Sequence, residues 1–260
     1  ELATAPERYV KHPGRGFTRN RKLGLASLSR LLLTMQGNSI SNELERYFQH
    51  SEGTPTASAF VQQRGKIDPE FFHEILRRFN ARCNDTQNYR GYRLYAADGS
   101  CLNVARNETV ESFVRSSTNE GYNFLHISAL YDISNVVYQD CVIQPATKAN
   151  ERADLIAKLK TNSFPQKSIM ILDRGYQGYH LFAHLENTPN VDFVCRVIQG
   201  ERGFRHLRNL PMMELDTYIH PELTTTQTNE DKRLKRVLIH LLGKKANAND
   251  PSLTRSWDFP

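Results

Sequence analysis

Cysteine is scarce in this 260-residue chain, and its four copies, Cys83, Cys101, Cys141 and Cys195, form no C-x-x-C pair and no cysteine/histidine cluster. That scatter argues against a disulfide framework and against a zinc site, and it fits a reducing cytoplasm. Long apolar runs are missing too. None approaches the roughly 20 residues of a membrane span, and the polar N-terminus lacks the apolar stretch of a secretory signal. No membrane partner is therefore expected. Neither a phosphate-binding glycine loop nor a dinucleotide fingerprint is present, which argues against a nucleotide cofactor. Ser100 has no histidine–aspartate setting, so a serine hydrolase triad is not expected. Tryptophan occurs once, as Trp257, suited to a core or interface or to stacking on an unpaired base.

What is present is the composition of a folded protein, 39% hydrophobic and 24% charged. The length suffices for one large domain or two small ones. A net charge of +6 and a pI near 9.1 point to an anionic partner. Most of the excess lies in the first 30 residues, where Arg8, Lys11, Arg15, Arg19, Arg21, Lys22 and Arg30 face only Glu1 and Glu7. Such a segment is either a solvated arm or a DNA contact, and the reading adopted is contact through Arg19, Arg21 and Lys22.

Residues 1–20 are broken by Pro6, Pro13, Gly14 and Gly16. From Lys22 to Met35, Leu25, Leu28, Leu32 and Met35 recur at helical spacing. Ser41 is placed to cap a second helix, Glu52–Thr56 form a turn before a third, and Asp68-Pro69 open a fourth. A helical region over 1–88 results, suited to DNA binding or to dimerisation.

A second region, 89–199, alternates strands and helices. Tyr92–Val104 reads as a strand carrying Asp98, with Gly99 allowing a bulge or turn. Phe124–Tyr131 and Val136–Ile143 are two more strands, followed by a helix over Asn150–Leu159 capped by Asn150. Ile169–Leu172, four apolar residues without alternation, suits a strand buried on both faces that ends in Asp173. Alone, Asp173 could be a helix cap and Asp98-Gly99 a hairpin turn. A helix from His180 and a fifth strand, Val191–Ile198, complete the order β-β-β-α-β-α-β. His180 and His184 have metal-ligand spacing but no accompanying His-Glu-x-x-His pattern, so a solvated helix face is expected. Residues 200–260 change character, with strand candidates at Leu223–Thr228 and Leu234–Leu242.

That order is the ribonuclease H-like α/β arrangement, in which the first and fourth strands lie side by side and bring the two acids together. Ala-Asp98-Gly-Ser, followed by Asp173-Arg-Gly-Tyr176, closely resembles the DDE transposases of bacterial insertion sequences, in the family named after insertion sequence four. The resemblance extends upstream to Ala59–Ile67 and implies catalysis by Asp98 and Asp173. These would be ligands for Mg²⁺ (or Mn²⁺), with two ions about 4 Å apart in the complete site. Arg174 and Tyr176 flank the second acid, placed either to touch phosphate or base or to pack. The implied reaction is DNA cleavage at the element's ends, then strand transfer into target DNA. The implied setting is the bacterial nucleoid, and the implied partner is double-stranded DNA, bound by a homodimer that synapses two ends. It further implies that 200–260 is an incomplete strand-rich insertion.

Members of this family complete the site with a glutamate after a tyrosine–arginine pair three residues apart. None of the eleven tyrosines here has arginine at that spacing. The expectation is that the chain stops short of that block and binds DNA without cutting it. Glu186, Asp192, Glu201 and Glu214 are substitutes without a motif. A ribonuclease H-like nuclease or resolvase, or a non-catalytic inhibitor that binds DNA or a partner, are the alternatives.

Overall fold

In the computed structural model the chain divides into two units, Glu1–Cys83 and Asn84–Pro260. The structure describes residues 6–83, 87–115 and 120–198, together with the backbone of 214–219 and 239–244.

The first unit holds four helices, α1 (Leu25–Thr34), α2 (Ile40–Tyr47), α3 (Ala57–Arg64) and α4 (Glu70–Arg82). Leu25, Leu28 and Leu31 line one side of α1 and bury against Leu44, Phe60, Ile67 and Phe71. Each of these large side chains contributes roughly 1.5–3 kcal/mol of transfer free energy. Thr56 caps α3 by accepting from Ala59 N, and Asp68 accepts from Glu70 N at the start of α4. The cap of α2 is Ser39, not Ser41, because the helix already begins at Ile40 and Ser41 lies within its first turn.

The basic N-terminal segment is not a loose arm. Val10 bridges Ile67, Lys11 N donates to Lys66 O, and Asp68 N donates to Tyr9 O. Tyr9 and Val10 are buried by this strap. Between α1 and α2, the buried Glu43 carboxylate accepts from Gln36 N (2.7 Å), Asn38 N (3.1 Å) and Arg46 (2.7 Å).

The second unit is α/β. Strands β1 (Arg93–Val104), β2 (Phe113–Val114), β3 (Tyr122–Asp132) and β4 (Val137–Pro145) precede helix α5 (Glu151–Thr161). Strand β5 (Ser168–Leu172), helix α6 (Tyr179–Glu186) and strand β6 (Val191–Cys195) follow. Together they make one mixed six-stranded sheet along β2-β3-β1-β5-β6, with β4 also paired to β3. The β1–β3 and β3–β4 pairs are antiparallel, and β1–β5 and β5–β6 are parallel. Asn150 caps α5 as its side chain accepts from Ala153 N.

Leu155, Ile156 and Leu159 of α5 and Leu181, Phe182 and Leu185 of α6 pack with Tyr95, Ala97, Leu130, Met170 and Leu172. All of these strand residues share one face by alternation. Strand β5 is consequently buried on that face alone, contrary to the expectation of two buried faces. On its other face Ile171 is 40% exposed, and Val194 beside it is 54% exposed. Beyond residue 198, β7 (Glu214–Ile219) and β8 (Ile239–Lys244) form an antiparallel pair. The strand expected at Leu223–Thr228, and Trp257, lie outside the described residues, as does the Leu234–Leu238 start of the other expected strand. Among the described residues no helix is long and apolar enough to cross a membrane.

Glu43 makes the first unit acid-sensitive. Burial raises its pKa, but the bonds from Gln36, Asn38 and Arg46 outweigh that and hold it below its ordinary 4.5. A depressed carboxylate pKa contributes stability above the unfolded-state value, and that stability is lost as pH falls through the folded value. Thermal unfolding followed by circular dichroism should therefore show a midpoint that drops below about pH 4.5. In Glu43→Gln the midpoint should be lower at neutral pH and its acid dependence flatter; an acid limb identical to that of the parent would assign the effect elsewhere.

Candidate active site

The parallel register of β1 on β5 ends with Ala97 opposite Leu172. The next residue on each strand is an aspartate. Asp98, midway along β1, and Asp173, just past the end of β5, therefore sit side by side on neighbouring strands, whose backbones run about 4.8 Å apart. Ala97 and Leu172 point into the core beneath α5 and α6, so the extended backbone turns both acids away from it. Both are exposed.

One oxygen of each carboxylate is held by its own backbone. Asp98 Oδ1 accepts from Gly99 N at 2.8 Å, and Asp173 Oδ1 accepts from Gly175 N at 2.7 Å. Asp173 thus also acts as the cap of the short turn Arg174–Tyr176. Neither carboxylate pairs with a cation among the described residues. Two adjacent, uncompensated, hard oxygen groups are the donor set that suits Mg²⁺, which takes one or two carboxylates and keeps several waters. No group of three or more His, Cys, Asp or Glu able to hold a metal occurs among the described residues.

Of the four substitute acids, two are at the wrong end of the sheet. Asp192 pairs with Ile169 near the amino end of β5, and Glu186, at the end of α6, lines the same shallow cavity as Tyr92, Lys167 and Asp192. Glu201 lies outside the described residues, and only the backbone of Glu214 is described.

A carboxylate that sequence reading missed is close by. Glu151, the first residue of α5, lies against Gly99 from the helix side of the sheet. A Cβ at Gly99 would fall on its carboxylate and come within 2.7 Å of His126 Cε1. This close approach explains why β1 carries glycine next to Asp98. The strand passes straight through, pairing Asp98 with Ala129 and Gly99 with Ser128, without the expected bulge or turn. A glutamate directly after an N-cap is ordinary helix-start chemistry, so nothing in the sequence singled it out.

Tyr176 is completely buried, which is the packing alternative and not the DNA contact. Its ring fills the core under α6, and its hydroxyl, close to Ser128, has no hydrogen-bond partner. Burial pushes its pKa up first, and the nearby Glu151, Asp98 and Asp173 carboxylates push it further. Lys158, also buried, donates to Ser128 Oγ at 2.8 Å, and burial lowers its pKa against the pull of Asp154 and Asp140. Arg174 remains exposed beside Asp173, while Arg152 Nε donates to Gly175 O at 3.0 Å. His184, expected on a solvated face, is buried with its ring edge-on to His180.

In the first unit, Arg15, Arg19, Arg21 and Lys66 line a cleft of about 220 Å³ with Thr18. The three arginines are exposed and have no ion-pair partner among the described residues. Lys22 differs: its Nζ donates to Glu52 O and Gly53 O, closing a turn instead of facing the cleft.

The packing of Glu151 on Gly99 is testable by unfolding in urea. Gly99→Ala should destabilise by about 1–3 kcal/mol, as overpacking does. Adding Glu151→Ala should recover part of that loss, because one of the two crowded neighbours is gone. Strictly additive losses in the double variant would show that the two residues do not compete for space.

No family model matches the chain, and no curated protein is significantly similar to it.

Proposed function

We propose that the second unit is the ribonuclease H-like core of a DDE transposase of a bacterial insertion sequence, and that it acts on the phosphodiester backbone of DNA. The observation that carries this reading is the juxtaposition of Asp98, midway along β1, and Asp173, just past the end of β5, where the parallel pairing of the two strands stops. The strand order β4-β3-β1-β5-β6, antiparallel through β1 and parallel beyond it, supports the fold assignment.

Asp98 and Asp173 would hold Mg²⁺ through the carboxylate oxygens that their backbone amides leave free. The bound metal supplies charge stabilisation for the attacking and leaving oxygens of a phosphoryl displacement. The chain's own part is positional. Gly99 N and Gly175 N fix the carboxylate planes, and exposed Arg174 stands ready to neutralise a phosphate beside Asp173. Without a cation the aspartate pair repels DNA; two unit charges 4 Å apart interact by about 4 kcal/mol near a protein surface. DNA ends and target would be bound in a homodimeric synapse, with the basic cleft of the first unit on the backbone, in the bacterial nucleoid.

Two measurements test the reading. Mn²⁺ titration followed by electron paramagnetic resonance should give an affinity at least about tenfold weaker in Asp98→Asn and in Asp173→Asn, a difference of ~1.4 kcal/mol or more. A strand-transfer assay with element-end duplexes, run on a longer version that carries the tyrosine–arginine–glutamate block, separates the transposase from a nuclease on the same fold, since a nuclease yields no joined product. Equal Mn²⁺ affinity in all three proteins would remove the shared metal and the reading with it.

The DNA contact is tested by salt. Arg19→Ala with Arg21→Ala should lower the slope of log K against log[salt] by about 0.9 for each phosphate that is no longer neutralised. Lys22→Ala, whose ammonium is engaged by the Glu52–Gly53 turn, should leave that slope unchanged. If all three substitutions flatten it equally, the cleft has no special role.

A further inference from the structure

The helix side of the sheet carries a second constellation, turned away from the aspartates. Cys101 of β1 and His126 of β3 are direct cross-strand partners, so both side chains emerge on the α5 face. Cys101 Sγ lies 3.7 Å from His126 Nδ1. His126 Nε2 lies 3.4 Å from Glu151 Oε1. The imidazole is 6% exposed and its Nε2 has no hydrogen-bond partner, whereas Cys101 is open to solvent.

The other polar groups around the imidazole are already committed. Gln144, opposite His126 on β4, donates to Asp154, and Lys158 donates to Ser128. Tyr176 Oη is the remaining ionisable group on this face near Glu151, and burial keeps it protonated. His126 therefore has a solvent-reachable thiol on one ring nitrogen and a carboxylate on the other. That is the order of a nucleophile, its base and the base's orienting group.

We propose that Cys101 is a nucleophilic thiol, with His126 as its proton acceptor and Glu151 orienting the imidazole, and that its substrates are small hydroperoxides. The thiol proton passes to Nδ1. The sulfur then attacks the terminal peroxide oxygen; an S–O bond forms as the O–O bond breaks. The departing alkoxide or hydroxide takes the proton back from the imidazolium. Sulfur is oxidised by two electrons to sulfenic acid, and the peroxide is reduced to an alcohol or water. The other thiols are poorly placed to compete. Burial and Asp173 push Cys195 up to about 12, and burial with Asp140 raises Cys141. The proposal is independent of the DNA reading and stands or falls separately.

The test uses the full chain with iodoacetamide, and each thiol's rate is read by peptide mass mapping. Near pH 7, Cys101 should react at least about tenfold faster than Cys83, which is also partly accessible. His126→Asn should cut the Cys101 rate by about tenfold, and the deficit should shrink at alkaline pH, where hydroxide can take the proton in place of the imidazole. Glu151→Gln, at the solvent side of the triad, should give a smaller loss with the same pH trend and guards against a misfolded His126 variant. After hydrogen peroxide, dimedone should trap a sulfenate at Cys101 in the parent and none in Cys101→Ser. Equal rates at Cys101 and Cys83 in the parent, or a His126→Asn deficit that persists at high pH, would overturn the proposal.

Discussion

Everything in the second unit depends on the parallel pairing of β1 with β5. Parallel neighbours cannot be joined by a tight turn; the chain must leave the sheet and return. Here it first runs through β2, β3 and β4 of the same sheet, then leaves it along α5 and returns with Leu172 opposite Ala97. The register is fixed by packing. Tyr95, Ala97, Met170 and Leu172 all bury against α5 and α6. A slip of one residue would turn that set outward and drive an aspartate into the core, because the side-chain period of a strand is two. Core packing and placement of the acids are thus one constraint, met by the same residues.

The same sheet separates two kinds of polar chemistry. On the open face, Asp98 and Asp173 each bind one backbone amide and otherwise meet solvent. On the helix face, Lys158, Ser128, His126 and Tyr176 are buried among apolar side chains. A buried ammonium costs several kcal/mol unless it is partnered, which accounts for the short Lys158–Ser128 bond and for the depressed Lys158 pKa. Gly99 brings the two faces close together. With no side chain of its own, it admits Glu151 to the backbone one residue from Asp98.

Much of this architecture was legible in the sequence, and the parts that were not share a cause. The apolar run Ile169–Leu172 and the Asn150 cap act locally, through backbone propensity and one hydrogen bond, and local signals survive in a one-dimensional reading. Asp98 and Asp173 could be linked because the order of elements dictates which strands meet. Contacts between side chains distant in sequence leave no such mark. Gly99 reads as a turn because glycine usually serves turns; its reason here is a glutamate 52 positions later. Tyr176, beside an exposed acid and an exposed arginine, is taken inward by the turn that Asp173 caps. The single buried face of β5 follows from α5 and α6 packing on the same side of the sheet, which composition cannot reveal.

The first unit shows the same limit from the side of charge. Counting cations in residues 1–30 treats Arg19, Arg21 and Lys22 alike, yet their surroundings differ. Lys22 donates to two carbonyls of the Glu52–Gly53 turn, so its ammonium is already engaged. Arg15, Arg19 and Arg21 have no such partner among the described residues, while the Val10–Ile67 bridge ties the segment just before them to the α3–α4 connection. Holding like charges together costs repulsion that a solvated arm would relieve by spreading out. Left unpaired along one cleft, the three arginines keep a field that would serve the DNA contact proposed above, and that arrangement, more than the net charge, is what the proposal rests on.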